Sequence, residues 1–392
     1  MKEIKTFRIP AALIVISLAG MALRWTGMSF EGVDYETCLL PWYQDFKAIG
    51  NLHALAEYNG SYNIPYVTLL YALTWIPVEP IISVKMLSIT FDYLLALLIM
   101  VMVRSAADTD RKELYSVLAY GLVLFNPVMI INSGYLSQSE SIWVFWALFA
   151  FWMVWKGHPA WGMLFFGFSF GIKPQGIFIL PILLIIYFKE KKFSILNLLW
   201  APVGIQLCCV PAIIGGCDFD IFMHYLLMMT GQYPFVYYYY PNVWTYLQEA
   251  PYYVYGKVAI FSTFLVLLLF AVLFVRSRKN ATLQEMLLYV AWTEMTCAML
   301  LPCMHERYNY LAEVLLAACA IGQKKYRLPS LALILVSVQC YGQSYLGWPW
   351  VSHYALAAAN IAIYLYLTKN CMVKLYRGGM AEKEEAYAEN RA

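Results

Sequence analysis

Of the 392 residues, 62% are hydrophobic and 13% are charged, with a mean hydropathy of +0.60. A soluble chain of this length could not bury so much apolar surface, which excludes a soluble globular domain. The formal net charge of +3 comes from basic residues in short clusters between apolar runs, a pattern that marks no nucleic-acid-binding surface.

The composition therefore points to an all-α polytopic membrane protein, because a helix satisfies every backbone amide of an apolar run inside lipid. In chain order, spans are predicted near 9–25, 81–103, 115–133, 141–155, 159–172, 177–188, 195–214, 255–275, 284–301, 310–322, 328–344 and 353–369, twelve in all. The first follows a basic start, but Arg24-Trp25 stands where a cleavage site needs small residues, so it reads as a retained helix. The run 65–79 is short and bounded by Pro65, Pro77 and Pro80, and reads as a membrane-dipping helix. On this count the segments 1–8, 104–113, 156–158, 189–193, 276–279, 322–327 and the tail from 369 hold 21 of the 27 Lys and Arg residues. That asymmetry places both termini on the cytoplasmic side of a multi-pass cell-membrane protein.

The first outer loop, 26–64, carries Glu31-Gly32-Val33-Asp34-Tyr35-Glu36 and then Pro41-Trp42-Tyr43-Gln44-Asp45-Phe46-Lys47. Trp42, Tyr43 and Phe46 suit interfacial helices in the headgroup region, which would hold the acidic turn at the membrane surface. A solvated loop is the plainer reading. A functional one needs a carboxylate fixed near the bilayer, and Asp34 is the best placed.

Four further elements lie at outer helix ends: Ser137-Gln138-Ser139-Glu140, Lys173-Pro174-Gln175, Tyr237-Tyr238-Tyr239-Tyr240-Pro241 and His305-Glu306-Arg307-Tyr308. A single charge at a span end is ordinarily an anchor. A loop carboxylate together with Lys, His and Arg on one face is also the inventory for deprotonating a hydroxyl while neutralising a phosphate. Asp92 and Glu294 fall inside predicted spans, where they should face the bundle and find partners or be protonated. The nine cysteines include Cys208, Cys209, Cys297, Cys303 and Cys340 within or beside spans and read mostly as small core residues. The histidines are scattered, and no metal site is expected.

At these residues the chain resembles the bacterial polyprenyl-phosphate-dependent glycosyltransferases of the class C superfamily, relatives of the dolichol-pathway mannosyl- and glucosyltransferases. The carriers are Val33-Asp34-Tyr35, Pro41-Trp42-Tyr43, Tyr62-Asn63-Ile64-Pro65-Tyr66, Phe125-Asn126-Pro127, Gly134 to Ser141, Lys173-Pro174-Gln175-Gly176-Ile177-Phe178 and Met304-His305-Glu306-Arg307-Tyr308. The chain departs from the family where many relatives have Trp or His, then Gly-Gln, then Asp. Here stand Leu136, Ser137-Gln138 and Glu140.

The resemblance implies a transmembrane catalytic module over 1–322; residues 323–392 carry none of its motifs and read from their composition as further transmembrane helices over 323–370 and a charged cytoplasmic tail over 371–392. It implies inverting transfer of a hexose, mannose among the candidates, from a polyprenyl-phosphate carrier to an acceptor hydroxyl on the extracytoplasmic side. Asp34 would be the general base. Arg307, Lys173 and His305 would stabilise the leaving phosphate, with Glu36, Gln138, Glu140, Gln175 and Tyr308 completing the substrate site. The lipid-linked donor is a substrate and no divalent metal is indicated; the partners are that donor, a glycan, lipid or protein acceptor and membrane lipid, without nucleic acid. Two alternatives stay open: a membrane transporter or flippase, suggested by the intramembrane carboxylates, and a lipid-linked glycan polymerase or ligase.

Overall fold

A computed structural model describes residues 2–190, 193–229, 233–277, 280–348 and 350–389. Among them the chain is α-helical, with one isolated β-bridge between Phe235 and Pro251. The helices are α1 (Lys2–Trp25), α2 (Leu40–Ile49), α3 (Ile64–Leu73), α4 (Pro80–Ala106), α5 (Lys112–Leu124), the single turn α6 (Pro127–Met129), α7 (Glu140–Trp155) and α8 (Pro159–Ile172). There follow α9 (Leu180–Glu190), α10 (Trp200–Gly215), α11 (Ile221–Met229), α12 (Tyr252–Arg276), α13 (Leu283–Leu300), α14 (Tyr310–Gly322), α15 (Arg327–Leu346) and α16 (His353–Glu389).

Local chemistry explains many of the boundaries. Proline stands in the first turn of α2, α3 and α8, where a missing N–H costs nothing. The Asn63 side chain caps α3, and Thr282 with Glu285 forms a reciprocal capping box on α13. Gly50 and Gly347, at φ of 70° and 65°, end α2 and α15 in a left-handed conformation that a side chain would disfavour.

Four helical segments are long and apolar enough to cross a membrane: Pro80–Ala106, Ile195–Gly215, Tyr252–Arg276 and His353–Val373. A fifth is α5 continued through Pro127–Tyr135, bent by 41° at the break. The remaining predicted spans fall on helices that fail one condition. Glu140–Trp155, Pro159–Ile172 and Tyr310–Gly322 are apolar but short, and at about 1.5 Å per residue they fall below the roughly 30 Å of a hydrocarbon core. Helix α13 has 18 residues but includes Gln284, Glu285, Thr293 and Glu294. The run 65–79 yields only the ten-residue α3.

The chain folds as two compact units. Unit 1 comprises Met1–Arg104, Asp108–Ile177 and Ser194–Gln232; unit 2 comprises Ser105–Ala107, Phe178–Phe193 and Tyr233–Ala392.

In unit 1, α8 packs against α7 and α10. The α8–α10 approach is made by glycine: a Cβ on Gly167 would lie 2.2 Å from the Ala201 carbonyl oxygen, and one on Gly204 would lie 2.2 Å from that of Leu164. Small residues let apolar helices come this close. Gly204→Ala should therefore force the helices apart and cost about 1–3 kcal/mol, read as a lower unfolding midpoint in detergent.

Two buried cations organise the same unit. Arg24 Nε donates to Asp92 Oδ2 at 2.8 Å with both side chains fully buried, and Ser133 Oγ donates to the same oxygen at 2.6 Å. Arg24 also donates to the carbonyls of Gly20 and Leu124. Lys85, fully buried on α4, donates to the carbonyls of Gly27, Met28 and Phe30 at 2.7, 3.3 and 2.6 Å. The expectation that Asp92 finds a partner inside the protein is met by the Arg24 ion pair.

Unit 2 meets the same expectation for Glu294 by another route. Its carboxylate accepts from the backbone N–H groups of Leu311 and Ala312, at 3.3 and 2.5 Å, and so serves the N-terminus of α14. Beside it, Asn360 donates to Tyr240 Oη at 3.1 Å and Tyr240 donates to Asn309. All nine cysteines are free thiols, and Cys209, Cys297, Cys319, Cys340 and Cys371 are buried.

Candidate functional site

Asp34 sits in the first helical turn after residues 30–32, which have no regular secondary structure, and immediately before a π-helical stretch, Tyr35–Leu39, that runs into α2. A second π-helical stretch, Ile130–Tyr135, ends two residues before Ser137, whose φ of 57° is unusual for a residue with a side chain. Such wide turns and strained residues concentrate at functional positions. Between the two stretches the structure makes a direct contact: Gln138 Nε2 donates to Asp34 Oδ2 at 2.5 Å.

The surroundings separate Asp34 from its acidic neighbours. Asp34 is half-buried, whereas Glu31 and Glu36 are exposed. Tyr35 is buried, and desolvation, with the charge of Glu31 adding to it, pushes its phenol up to about 12, so it stays protonated at neutral pH. Trp42, Tyr43 and Phe46, expected in the headgroup region, make their ring and hydrogen-bond contacts within unit 1. Trp42 meets Tyr58 and Tyr62 edge-on, Phe46 meets Tyr71, and Tyr43 Oη donates to the Leu73 carbonyl. The aromatic face of α2 is consumed by the residues that follow it, so it fixes the helix after Asp34 to the core.

Two more predicted residues pair with each other. Lys173 Nζ donates to Glu140, and Trp143 Nε1 donates to the other Glu140 oxygen at 2.5 Å. Glu140 is fully buried and Lys173 is 9% exposed, so the cation is largely neutralised within the protein. Gln175 follows on the 3-10 turn Pro174–Ile179, half-buried. Unit 1 thus brings Asp34 to Gln138 and Glu140 to Lys173, and leaves Glu36 on the surface.

Unit 2 holds His305, Arg307 and Tyr308. Arg307 Nη1 donates to Glu306 Oε1 at 2.7 Å and to Tyr345 Oη at 3.0 Å, and Tyr345 donates to the same Glu306 oxygen at 2.8 Å. His305 lies among the rings of Tyr233, Tyr238 and Tyr308, with Nε2 3.3 Å from Tyr233 Oη. Desolvation, with Tyr238 close by, raises the Tyr233 phenol above its usual value, and the Arg307 charge opposes this. Tyr239 and Cys303, at φ of 60° and 58°, bracket the cluster in left-handed conformations. Glu306 and Tyr345 were missed as site residues. Glu306 adjoins Arg307 in the sequence and could have been named, but Tyr345 is 38 positions away and only the fold brings it in.

Among the described residues one grouping has the chemistry of metal ligands. The ligand atoms of Asp218, Asp220 and His224 lie within 4.8 Å of one another, all exposed, at the start of α11. The Asp-x-Asp-x-x-x-His spacing was its sequence signal. Exposed carboxylates gather in this way on many protein surfaces without holding an ion.

Neither a protein-family model nor a curated protein sequence matches the chain. Its own features define a helical, membrane-associated protein with apolar helices long enough to span a bilayer and with buried polar clusters in both units.

Proposed function

We propose that the protein is a multi-pass membrane hexosyltransferase that moves one sugar from a polyprenyl-phosphate carrier to an acceptor hydroxyl on the extracytoplasmic side. The observation that carries this reading is the Asp34–Gln138 contact. Of the five first-loop acids, Glu31, Asp34, Glu36, Asp45 and Glu57, only Asp34 is half-buried, and it is hydrogen-bonded to a side chain from a distant segment, as a positioned base requires. The carboxylate would take the acceptor hydroxyl proton as the new bond to the anomeric carbon forms. The bond from that carbon to the phosphate oxygen breaks on the opposite face, which inverts the centre. Lys173, held by Glu140 in the same unit as Asp34, would bear on the negative charge gathering on the released carrier phosphate.

This reading keeps the twelve-span arrangement, with short helices such as α7, α8 and α14 lying among the longer spans, and keeps both termini cytoplasmic. It predicts that a cysteine probe at Gly60 reacts with a membrane-impermeant external reagent while one at Ser105 does not; the reverse labelling would overturn the orientation. The transporter alternative loses its motive, because Asp92 is ion-paired and Glu294 is bound by backbone amides.

The direct test incubates the purified protein with synthetic polyprenyl-phosphate hexoses and candidate acceptors, with mass spectrometry of the products. An acceptor heavier by one hexose is the expected product. Transfer of a preassembled oligosaccharide would point to a ligase, and no consumption of any lipid-linked sugar would overturn the assignment.

A further inference from the structure

We propose that Ser137, Gln138 and Ser139 form a hydroxyl-recognising subsite that reads the sugar ring of the donor rather than its phosphate. The inference deepens the glycosyltransferase reading and rests on it. All three side chains are 1% exposed, and Ser137 Oγ, Gln138 Oε1 and Ser139 Oγ lack any hydrogen-bond partner in the protein. Three consecutive buried polar groups left unsatisfied run against the general rule that such groups are paired. Nothing in the local fold consumes them. Ser139 occupies the N-cap position of α7, where a serine hydroxyl ordinarily accepts a backbone N–H, yet it makes no cap hydrogen bond. Ser137 is held in the left-handed region, which a serine adopts only when its surroundings impose it.

The chemistry of the missing partner follows from Gln138. Its NH₂ group is committed to Asp34, so the amide presents its oxygen as an acceptor that needs an O–H or N–H donor. An ionised phosphate has no proton to offer. A sugar hydroxyl donates and accepts at once, and the two serine hydroxyls can meet it in either sense. The subsite adjoins Asp34, so a sugar read there presents its anomeric carbon near the base that activates the acceptor. Because the three groups are closed off from solvent, the 136–139 segment must shift as the sugar enters.

The test compares binding of undecaprenyl phosphate and undecaprenyl-phosphate mannose to the full-length protein in detergent, by native mass spectrometry. The wild type should prefer the glycosylated lipid, and Ser137→Ala and Ser139→Ala should each lose roughly tenfold of that preference, about one hydrogen bond's worth, while binding of undecaprenyl phosphate is unchanged. Retained binding of the bare carrier reports an intact fold. Should a variant fail to fold, undecaprenyl-phosphate deoxyhexoses lacking single hydroxyls give the same reading on the wild type, with weaker binding expected for at least one. Equal wild-type affinity for the two lipids, or alanine variants that keep the preference, would overturn the subsite and leave the enzyme assignment standing. Binding of neither lipid would overturn the donor class itself and the subsite with it.

Discussion

Replacing Asp34 by asparagine is expected to lower turnover by roughly 10²–10⁴-fold while donor binding survives. Asparagine keeps the side chain's size and can still accept from Gln138, so the first-loop geometry is preserved and only the basicity is removed. The comparison is Glu36→Gln, which alters an exposed residue two positions away and should leave turnover within a few-fold. Steady-state kinetics and donor binding on the two variants decide the point. A dead Glu36→Gln beside a near-normal Asp34→Asn would move the base to Glu36, and two active variants would sink the base mechanism altogether.

The largest effect on stability should come from Arg24→Met, which takes the guanidinium partner away from the buried Asp92 carboxylate while the Ser133 hydroxyl still donates to it. Both charged side chains are fully buried, and removing one partner of such a pair costs about 3–5 kcal/mol. The double variant Arg24→Met with Asp92→Leu carries no stranded charge and should recover much of that loss. Denaturant unfolding in detergent would show it. A double variant no more stable than Arg24→Met alone would mean that the carbonyl contacts of Arg24 to Gly20 and Leu124, rather than its charge, hold the region.

The helical, membrane-spanning character was legible because apolar composition and run length follow directly from the bilayer's demands. The number of spans was not, since a hydropathy run marks where a chain is apolar and not where its hydrogen bonding stops. The 159–172 run fills a whole helix of 14 residues, whereas 115–133 breaks near Asn126-Pro127 and bends. At the site, Asp34 and Gln138 could be named through resemblance and the structure joins them across 104 positions. The pairing of Lys173 with Glu140 could not be read, because both had been assigned to the ligand and their mutual neutralisation depends on two helix ends meeting 33 positions apart. The orphaned hydroxyls of Ser137 and Ser139 were equally invisible, since an unmade hydrogen bond leaves no trace in a sequence.

The contact of Lys85 with three backbone carbonyls gives the segment before Asp34 an unusual kind of anchorage. An ammonium group has three protons and no acceptor, and here Gly27, Met28 and Phe30 receive them. The arrangement does what a small coordinated metal ion does when it gathers carbonyl oxygens around a positive centre, but this ion is tethered to α4 by a covalent stem. Chelators cannot strip it and changes in salt cannot exchange it. The approach to the acidic turn is therefore fixed independently of the ionic medium around it.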